Sequence, residues 1–529
     1  MRGRACELAL ALIPLIALLA SPLARPALSA YDGPLYFDGR RAYDHLRELC
    51  SKFKRRVVGS SADAAAGLWV AEKLRELGYE VHAQNFTARS FGGFVSAMNV
   101  YAVKRGEVSR YVVLMAHRDV VPSTVEGAND NGAGVAILLE LARVLANRST
   151  RLSVIFLCTD AEETGLHGAR HFVRSFPEAS RIVCAISIDM CGWRGARGIA
   201  LFAYYSPPAF SDASVLLLAL SASTPECPVA VDLMDQVMAR LSLIYVGTDS
   251  MPFVAAGVPA IGITDDPTYP YWHTPEDTVD KVSPERLEAV GRFLERLVLT
   301  VDGMGGLPRL GTRYLASNWV YLPEPLVRGV SLAVLALAVF TVLTRVRPSK
   351  RGLLSYLVLY LGSLASLALL TALCAQLGSF AQSLPLAAVA YVAYAYLVVA
   401  KLRPDVHGLQ GVALSALAGA YLPASLIAPE ATLALAAPAV YSLSLARPVR
   451  RGRMLLAAAL AGISLAPLAL VLQHVYELLG AGLADRVLCY AVLAARQLAG
   501  GAGCAMLSAS VSLVVLAATA CALSALKRG

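Results

Sequence analysis

At 529 residues the chain exceeds the usual size of one domain, so at least two units are expected. Hydrophobic residues make up 57% of it and charged residues 16%, and nearly all ionisable side chains fall before about Arg351 or in short stretches after it, which implies a polar domain followed by a membrane domain. The formal charge of +9 does not point to nucleic acid, because the basic residues are spread through the front half and sit at the ends of apolar runs in the back half, with no basic stripe interleaved with aromatics.

Residues 1–30 read as an export signal or N-terminal anchor: Arg2 and Arg4 precede an apolar stretch over about 8–20, and small residues lead to Ala30. From 31 to 303 short β-rich runs alternate with amphipathic segments. Helices are predicted over 43–53 and 62–77, a strand pair over 80–87 and 94–104, and buried strands over 111–116, 152–158, 185–188 and 259–264. Further helices are predicted over 134–146, 165–175 and 284–300. The fold expected is α/β, a mixed β-sheet flanked by helices. The ten cysteines contain no C-x-x-C pair, which excludes a zinc knuckle or a regular disulfide framework; Cys50 and Cys227 are left as one pair that could bridge in an oxidising compartment.

Residues 304–325 read as a linker whose Tyr314, Trp319 and Tyr321 precede the first long apolar run as interfacial aromatics would. An all-α transmembrane domain is expected over 326–529, with about seven spans near 326–344, 353–375, 385–400, 409–427, 431–446, 454–473 and 503–525. Lys and Arg cluster after the first, third, fifth and last of these, as at Arg345, Lys401, Arg447 and Lys527. By the positive-inside rule the front domain is then extracytoplasmic and the C-terminus cytoplasmic. A helix over 487–499 would strand Arg496 in lipid, so it reads as interfacial or re-entrant.

Chemistry concentrates in the front domain. The apolar run 112–116 ends in His117, with Asp119 two residues on and on the same face, where a carboxylate can orient an imidazole. Gly127-Ala128-Asn129-Asp130-Asn131-Gly132 is a tight turn opening a helix; no Gly-Lys-Ser/Thr follows, so a phosphate cradle is not written there. An Asp held in such a turn can bridge two metals, and a plain helix cap is the alternative. Adjacent Glu162 and Glu163 follow another buried strand and repel one another, a repulsion that a cation relieves. One can ligate while the other takes a proton from a water. Asp189 ends a further strand, and His273 sits in a Pro-containing loop, Tyr271 to Thr278. Glu163, His167 and His171 are spaced by four, but a helix starting after Gly165 would not align them. The absence of H-E-x-x-H leaves a single-zinc endopeptidase of that kind unsupported.

Taken together, the order His-x-Asp, Gly-Ala-x-Asp-Asn, Glu-Glu-x-Gly-Leu-x-Gly, Asp and Tyr-x-His-Thr-x-x-Asp resembles the co-catalytic dizinc exopeptidases of the bacterial leucyl aminopeptidase and aminopeptidase Y type. The likeness runs from about Arg55 to Lys281 and includes Thr248-Asp249-Ser250. The resemblance implies two zinc ions, for which cobalt or manganese can stand in: one at His117 and Asp189, the other at Glu163 and His273, with Asp130 bridging. It implies Glu162 as general base and Asp119 as the residue that orients His117.

Arg118, Ala133, Ala169 and Ser250 depart from the family's commoner residues without removing a ligand. The whole arrangement is similar to the membrane-anchored branch typified by endoplasmic-reticulum metallopeptidase. The function implied is a zinc aminopeptidase cleaving peptides outside a lipid bilayer, with no nucleic-acid partner and no indication of oligomeric state. Two alternatives are a glutaminyl cyclase-like acyltransferase and a non-catalytic receptor or scaffold on the same fold.

Overall fold

The computed structural model describes residues 26–329, apart from 27, 206–208, 233–235, 237–238, 240–246, 319 and 328. Asp38 and Ser60 open α1 (Gly39–Lys52) and α2 (Ser61–Glu76) by accepting first-turn amides, from Arg40 and Arg41 in one case and Asp63 in the other. Gly78, at φ +84°, turns the chain into an antiparallel hairpin of β1 (Val81–Ser90) and β2 (Gly93–Lys104), which leads to β3 (Val108–His117). Then follow α3 (Ala133–Ala146), β4 (Leu152–Thr159), α4 (His167–Ser175), β5 (Ile182–Ile188) and β6 (Gly198–Phe202). Short β7 (Tyr204–Tyr205) and β8 (Ala209–Phe210) precede α5 (Ala213–Ser221), β9 (Val229–Ala230), α6 (Met251–Ala255) and β10 (Ala260–Asp266). Ser283 caps α7 (Pro284–Met304), and Gly305 ends it at φ +65°. A small hairpin of β11 (Tyr314–Ala316) and β12 (Tyr321–Pro323) comes last.

Eight strands form one mixed sheet in the order β1-β2-β4-β3-β5-β10-β6-β9. Its centre, β4, β3, β5 and β10, is parallel, and antiparallel β2 and β6 flank it. Strands buried on both faces need apolar side chains at every position, and the two faces feed separate cores. Val112, Leu114, Ala116, Val154 and Phe156 pack with α1, α2, α3 and α7, while Val113, Met115, Ile155 and Leu157 pack with Phe172 of α4 and Phe253 of α6. Burying each of these larger side chains stabilises the fold by about 1.5–3 kcal/mol. Such a sheet has a rigid carboxyl edge, where side chains that follow the strands converge.

Two expectations change. Tyr314 and Tyr321, read as interfacial aromatics, are buried in the larger core. Cys50 and Cys227 are both buried and free rather than bridged, and the Cys50 thiol points to the Glu126 carbonyl at 3.6 Å. Among the described residues no helix is long and apolar enough to cross a membrane. Apart from residues 326, 327 and 329 at the start of the first, the seven expected spans lie outside the described residues, as do residues 1–25 of the expected export segment.

Helix α3 meets the sheet at Gly134, where a Cβ would stand 2.3 Å from Asn131 Oδ1 and 2.4 Å from the Ile188 carbonyl. Asn131 is itself fixed there, its Nδ2 donating to Ile188 O at 2.8 Å and its Oδ1 accepting from the amides of Gly134 and Met190. Alanine gains about 1 kcal/mol of helix propensity but must displace backbone, which costs about 1–3 kcal/mol. Gly134→Ala is therefore expected to lower the melting temperature of the purified protein, and a variant that melts at or above wild type would contradict this packing.

Candidate metal centre

Each central strand delivers a polar group at its carboxyl end. His117 is the last residue of β3, and its Nδ1 lies 3.1 Å from the backbone carbonyl of Asp119. A carbonyl only accepts, so Nδ1 carries the proton and Nε2 presents its lone pair. That nitrogen is 3.4 Å from Asp130 Oδ1 and 3.4 Å from Asp189 Oδ1, the latter residue following β5. On the other side of Asp130, His273 Nε2 is 3.4 Å from Oδ2, and it is 2.9 Å from Glu163 Oε2.

The 3.4 Å spacings around Asp130 and His117 suit a cation. Two donors at about 2.0–2.1 Å from a tetrahedral zinc lie roughly 3.3–3.4 Å apart, longer than an ordinary hydrogen bond. Asp130 Oδ2, Glu163 Oε1 and Asp189 Oδ1 are moreover buried with no hydrogen-bond partner, a state proteins avoid unless something else satisfies the atom. Imidazole nitrogen and carboxylate oxygen without thiolate are donors zinc accepts, and cobalt or manganese as well. The residues present fit the metal.

The electrostatics agree. Burial, together with the Glu163 and Asp189 carboxylates, pushes the Asp130 carboxyl well above its ordinary range against the pull of His117. Burial also raises Glu162 well above the carboxylate range, helped by Glu163, Asp189 and Asp249, and raises Glu163 to about 8. For His117 burial acts downward, but Glu162, Asp119 and Asp189 hold its pKa well above the usual value. Burial lowers His273. Too many buried acids for the positive charge available is a condition that a dication corrects.

Asp119 does more than stand near an imidazole. Its Oδ1 is 3.7 Å from His117 Nδ1, farther than its own carbonyl, and its two oxygens accept the amides of Glu162 and Glu163 at 3.1 and 3.2 Å. Burial acts to raise this carboxyl, but His117 and those amides outweigh it and keep it below the usual range. The end of β3 is thereby tied to the segment after β4. Glu162, Glu163 and His117 each place one donor atom within 4.8 Å of the others.

The backbone is unusual at the same points. Ala161, Leu166, Met190 and His273 adopt φ of +57°, +58°, +48° and +59°, the sparsely populated left-handed region, beside Glu162, at the start of α4, beside Asp189 and at a candidate ligand itself. α4 begins only at His167, and His171 stacks on Phe86 with ring centroids 4.8 Å apart, so that histidine packs the β1–β2 hairpin.

Other polar groups were legible as residues but not as roles. Arg118, a family departure in the sequence, is fully buried and points away from His117 into an ion triad, with Nε 3.0 Å from Asp63 Oδ1 and Nη2 2.8 Å from Asp160 Oδ2. It also donates to the carbonyls of Met98 and Thr159, locking the β3 end to β2 and β4. Asp249 is buried against the Thr159 hydroxyl, with Oδ1 unpartnered, and burial raises its carboxyl to about 7. Ser250 is enclosed by Tyr205 and Thr248.

Residues 99–298 match the sequence model of peptidase family M28. This segment is an M28 peptidase domain. It contains every candidate ligand, from His117 to His273. Among curated relatives, the aminopeptidase YwaD of Bacillus subtilis is 31% identical over 214 residues, 38% of this chain and 44% of that protein. A putative endoplasmic reticulum metallopeptidase 1 of Schizosaccharomyces pombe is 24% identical over 330 residues, 56% of this chain and 38% of that one. The chain thus spans less than half the length of these two. A glutaminyl-peptide cyclotransferase of Drosophila melanogaster is 27% identical over 296 residues, 47% of this chain and 79% of that enzyme.

Proposed function

We propose that this protein is a membrane-anchored aminopeptidase with two zinc ions, removing N-terminal residues from peptides on the outer side of a membrane. One observation carries the two-metal reading: the oxygens of Asp130 divide between His117, at the end of β3, and His273, in the loop after β10. Asp189 completes the donor group of the first and Glu163 that of the second. Zinc, when bound, supplies Lewis acidity that polarises a carbonyl and lowers the pKa of water.

The rest is done by the chain. Glu162 accepts a proton from the water that adds to the peptide carbonyl carbon and passes it to the amine nitrogen as the C–N bond breaks. Asp119, holding the amides of Glu162 and Glu163, keeps the base and the ligand beside it in register with His117. The Asp119 carbonyl fixes the His117 tautomer. Anchoring is supported by the apolar runs over 326–529 with charges confined to their ends, which also favour an extracytoplasmic peptidase domain and a cytoplasmic C-terminus.

The test is hydrolysis of matched free and N-acetylated peptides by purified protein, with metal content measured on the same sample before and after chelation. N-terminal residues released only from free peptides, with about two metals per chain and activity lost on chelation, are expected. Cleavage within acetylated peptides would replace an exopeptidase by an endopeptidase. Conversion of N-terminal glutaminyl peptides with no peptide cleaved would replace it by a cyclotransferase.

A further inference from the structure

Asp277 lies four residues after His273, is fully buried, and belongs to none of the donor groups found among the described residues. Its carboxylate instead gathers three donors. Oδ1 accepts the Asn129 amide at 2.8 Å and the Tyr269 hydroxyl at 2.8 Å, and Oδ2 accepts the Asp130 amide at 3.1 Å. The Asp277 carbonyl receives the Ala128 amide at 3.4 Å.

The turn needs these acceptors. Asp130 and Asn131 have φ/ψ of −113°/91° and −128°/44°, outside the helical region, and the amides of Asn129 and Asp130 reach a side chain from a distant loop instead of a helical carbonyl. That loop is firm: the Thr274 amide donates to Tyr271 O at 3.2 Å and the Asp277 amide to Thr274 O at 3.3 Å, while Tyr269 packs edge-on against Trp193 and Tyr271. His273 and the group that grips the backbone of Asp130 are therefore one piece. The His117 side of the turn has a separate anchor, Asn131 Nδ2 on Ile188 O, next to Asp189.

We propose that Asp277 is a positioning residue that sets the separation of the two metal positions, by clamping the backbone of the bridging Asp130 to the loop that presents His273. The proposal rests on the two-metal reading. An asparagine at 277 keeps the shape but turns an NH2 toward the amide of Asn129 or Asp130 whichever way it lies, so one clamp bond becomes a clash of donors. Loss of such a supporting group typically weakens metal binding about 10–100-fold. Here the loss should fall on the His273 side.

The experiment titrates metal-free full-length protein with cobalt(II), following heat and the visible absorption that reports coordination geometry. In Asp277→Asn one of two binding steps is expected to weaken at least about tenfold with an altered spectrum, the other by no more than about threefold. Tyr269→Phe, which removes only the outer hydroxyl, should shift the same step by a few-fold. Two steps indistinguishable from wild type, or two weakened equally, would overturn the clamp, the second because a merely loosened fold does not choose between sites. If Asp277→Asn does not fold, Tyr269→Phe decides on the same criterion. A wild-type protein that binds a single cobalt ion defeats the two-metal reading instead. The clamp is then judged on that ion, and unchanged affinity in Asp277→Asn overturns it.

Discussion

Glu162→Gln is expected to keep its metal and to lose turnover by about two to four orders of magnitude, the usual contribution of a positioned general base. The amide is nearly the same size as the carboxylate but cannot take a proton. Glu162 stands outside the two donor groups that share Asp130, although it shares a third with His117 and Glu163. The substitution separates these roles: a base lost leaves metal content intact, whereas a ligand lost lowers it. Glu163→Gln serves as the contrast, since Glu163 Oε2 is 2.9 Å from His273 Nε2 in the second group and its loss should release metal. The check is kcat on a free peptide together with metal content by mass spectrometry. A Glu162→Gln enzyme within about tenfold of wild-type kcat would remove Glu162 from the proton path.

Why these residues stood out in the sequence, and others did not, follows from how a parallel sheet is built. Strands buried on both faces are near-continuous apolar runs, so the polar residues that closely follow each run mark the carboxyl edge. His117, Glu162, Glu163 and Asp189 were found in this way, and the structure brings them together with Asp130 and His273. Boundaries were harder. α4 starts after Leu166 in a left-handed conformation that no residue type announces, and α7 continues past Val301, its last buried residue, through exposed Gly303 to Met304 until Gly305 ends it at φ +65°. Tyr314 and Tyr321 beside an apolar run have the local composition of an interfacial belt, and only tertiary packing puts them in the core.

The supporting polar groups were the least legible. Asp277 was visible as part of a motif, yet its partners at 129 and 130 are far away in sequence, and nothing at 277 alone distinguishes a clamp from a surface acid. The same holds for Asp265, which joins Asn129, the Trp193 amide and Arg286, and for the triad around Arg118. Such groups act through geometry that a one-dimensional pattern does not carry. They are also where the departures from the family pattern become intelligible, since Arg118 braces the strand end from behind without entering the site.

Removing the metal is expected to abolish activity and to destabilise the domain, and to do so more at pH 8 than at pH 5. In the folded chain without metal, burial raises Glu163 from 4.5 to about 8, and Asp130 and Glu162 are raised with it. A carboxyl whose folded pKa lies above its unfolded one holds a proton that the unfolded chain releases. The stability that the Glu163 proton provides therefore falls as pH rises from about 4.5 to about 8, and Asp130 and Glu162 act in the same direction. His117, raised well above 6.5, acts in the same direction, because the stability its charged form provides at low pH is lost as pH climbs through its folded pKa. Bound zinc reverses the trend, since its ligands must be deprotonated and binding tightens as pH rises. The gap in melting temperature between zinc-loaded and chelated protein should accordingly widen from pH 5 to pH 8. A gap that is the same at both, or that zinc does not open at either, would show that the crowded acids around Asp130 are not held together by a metal.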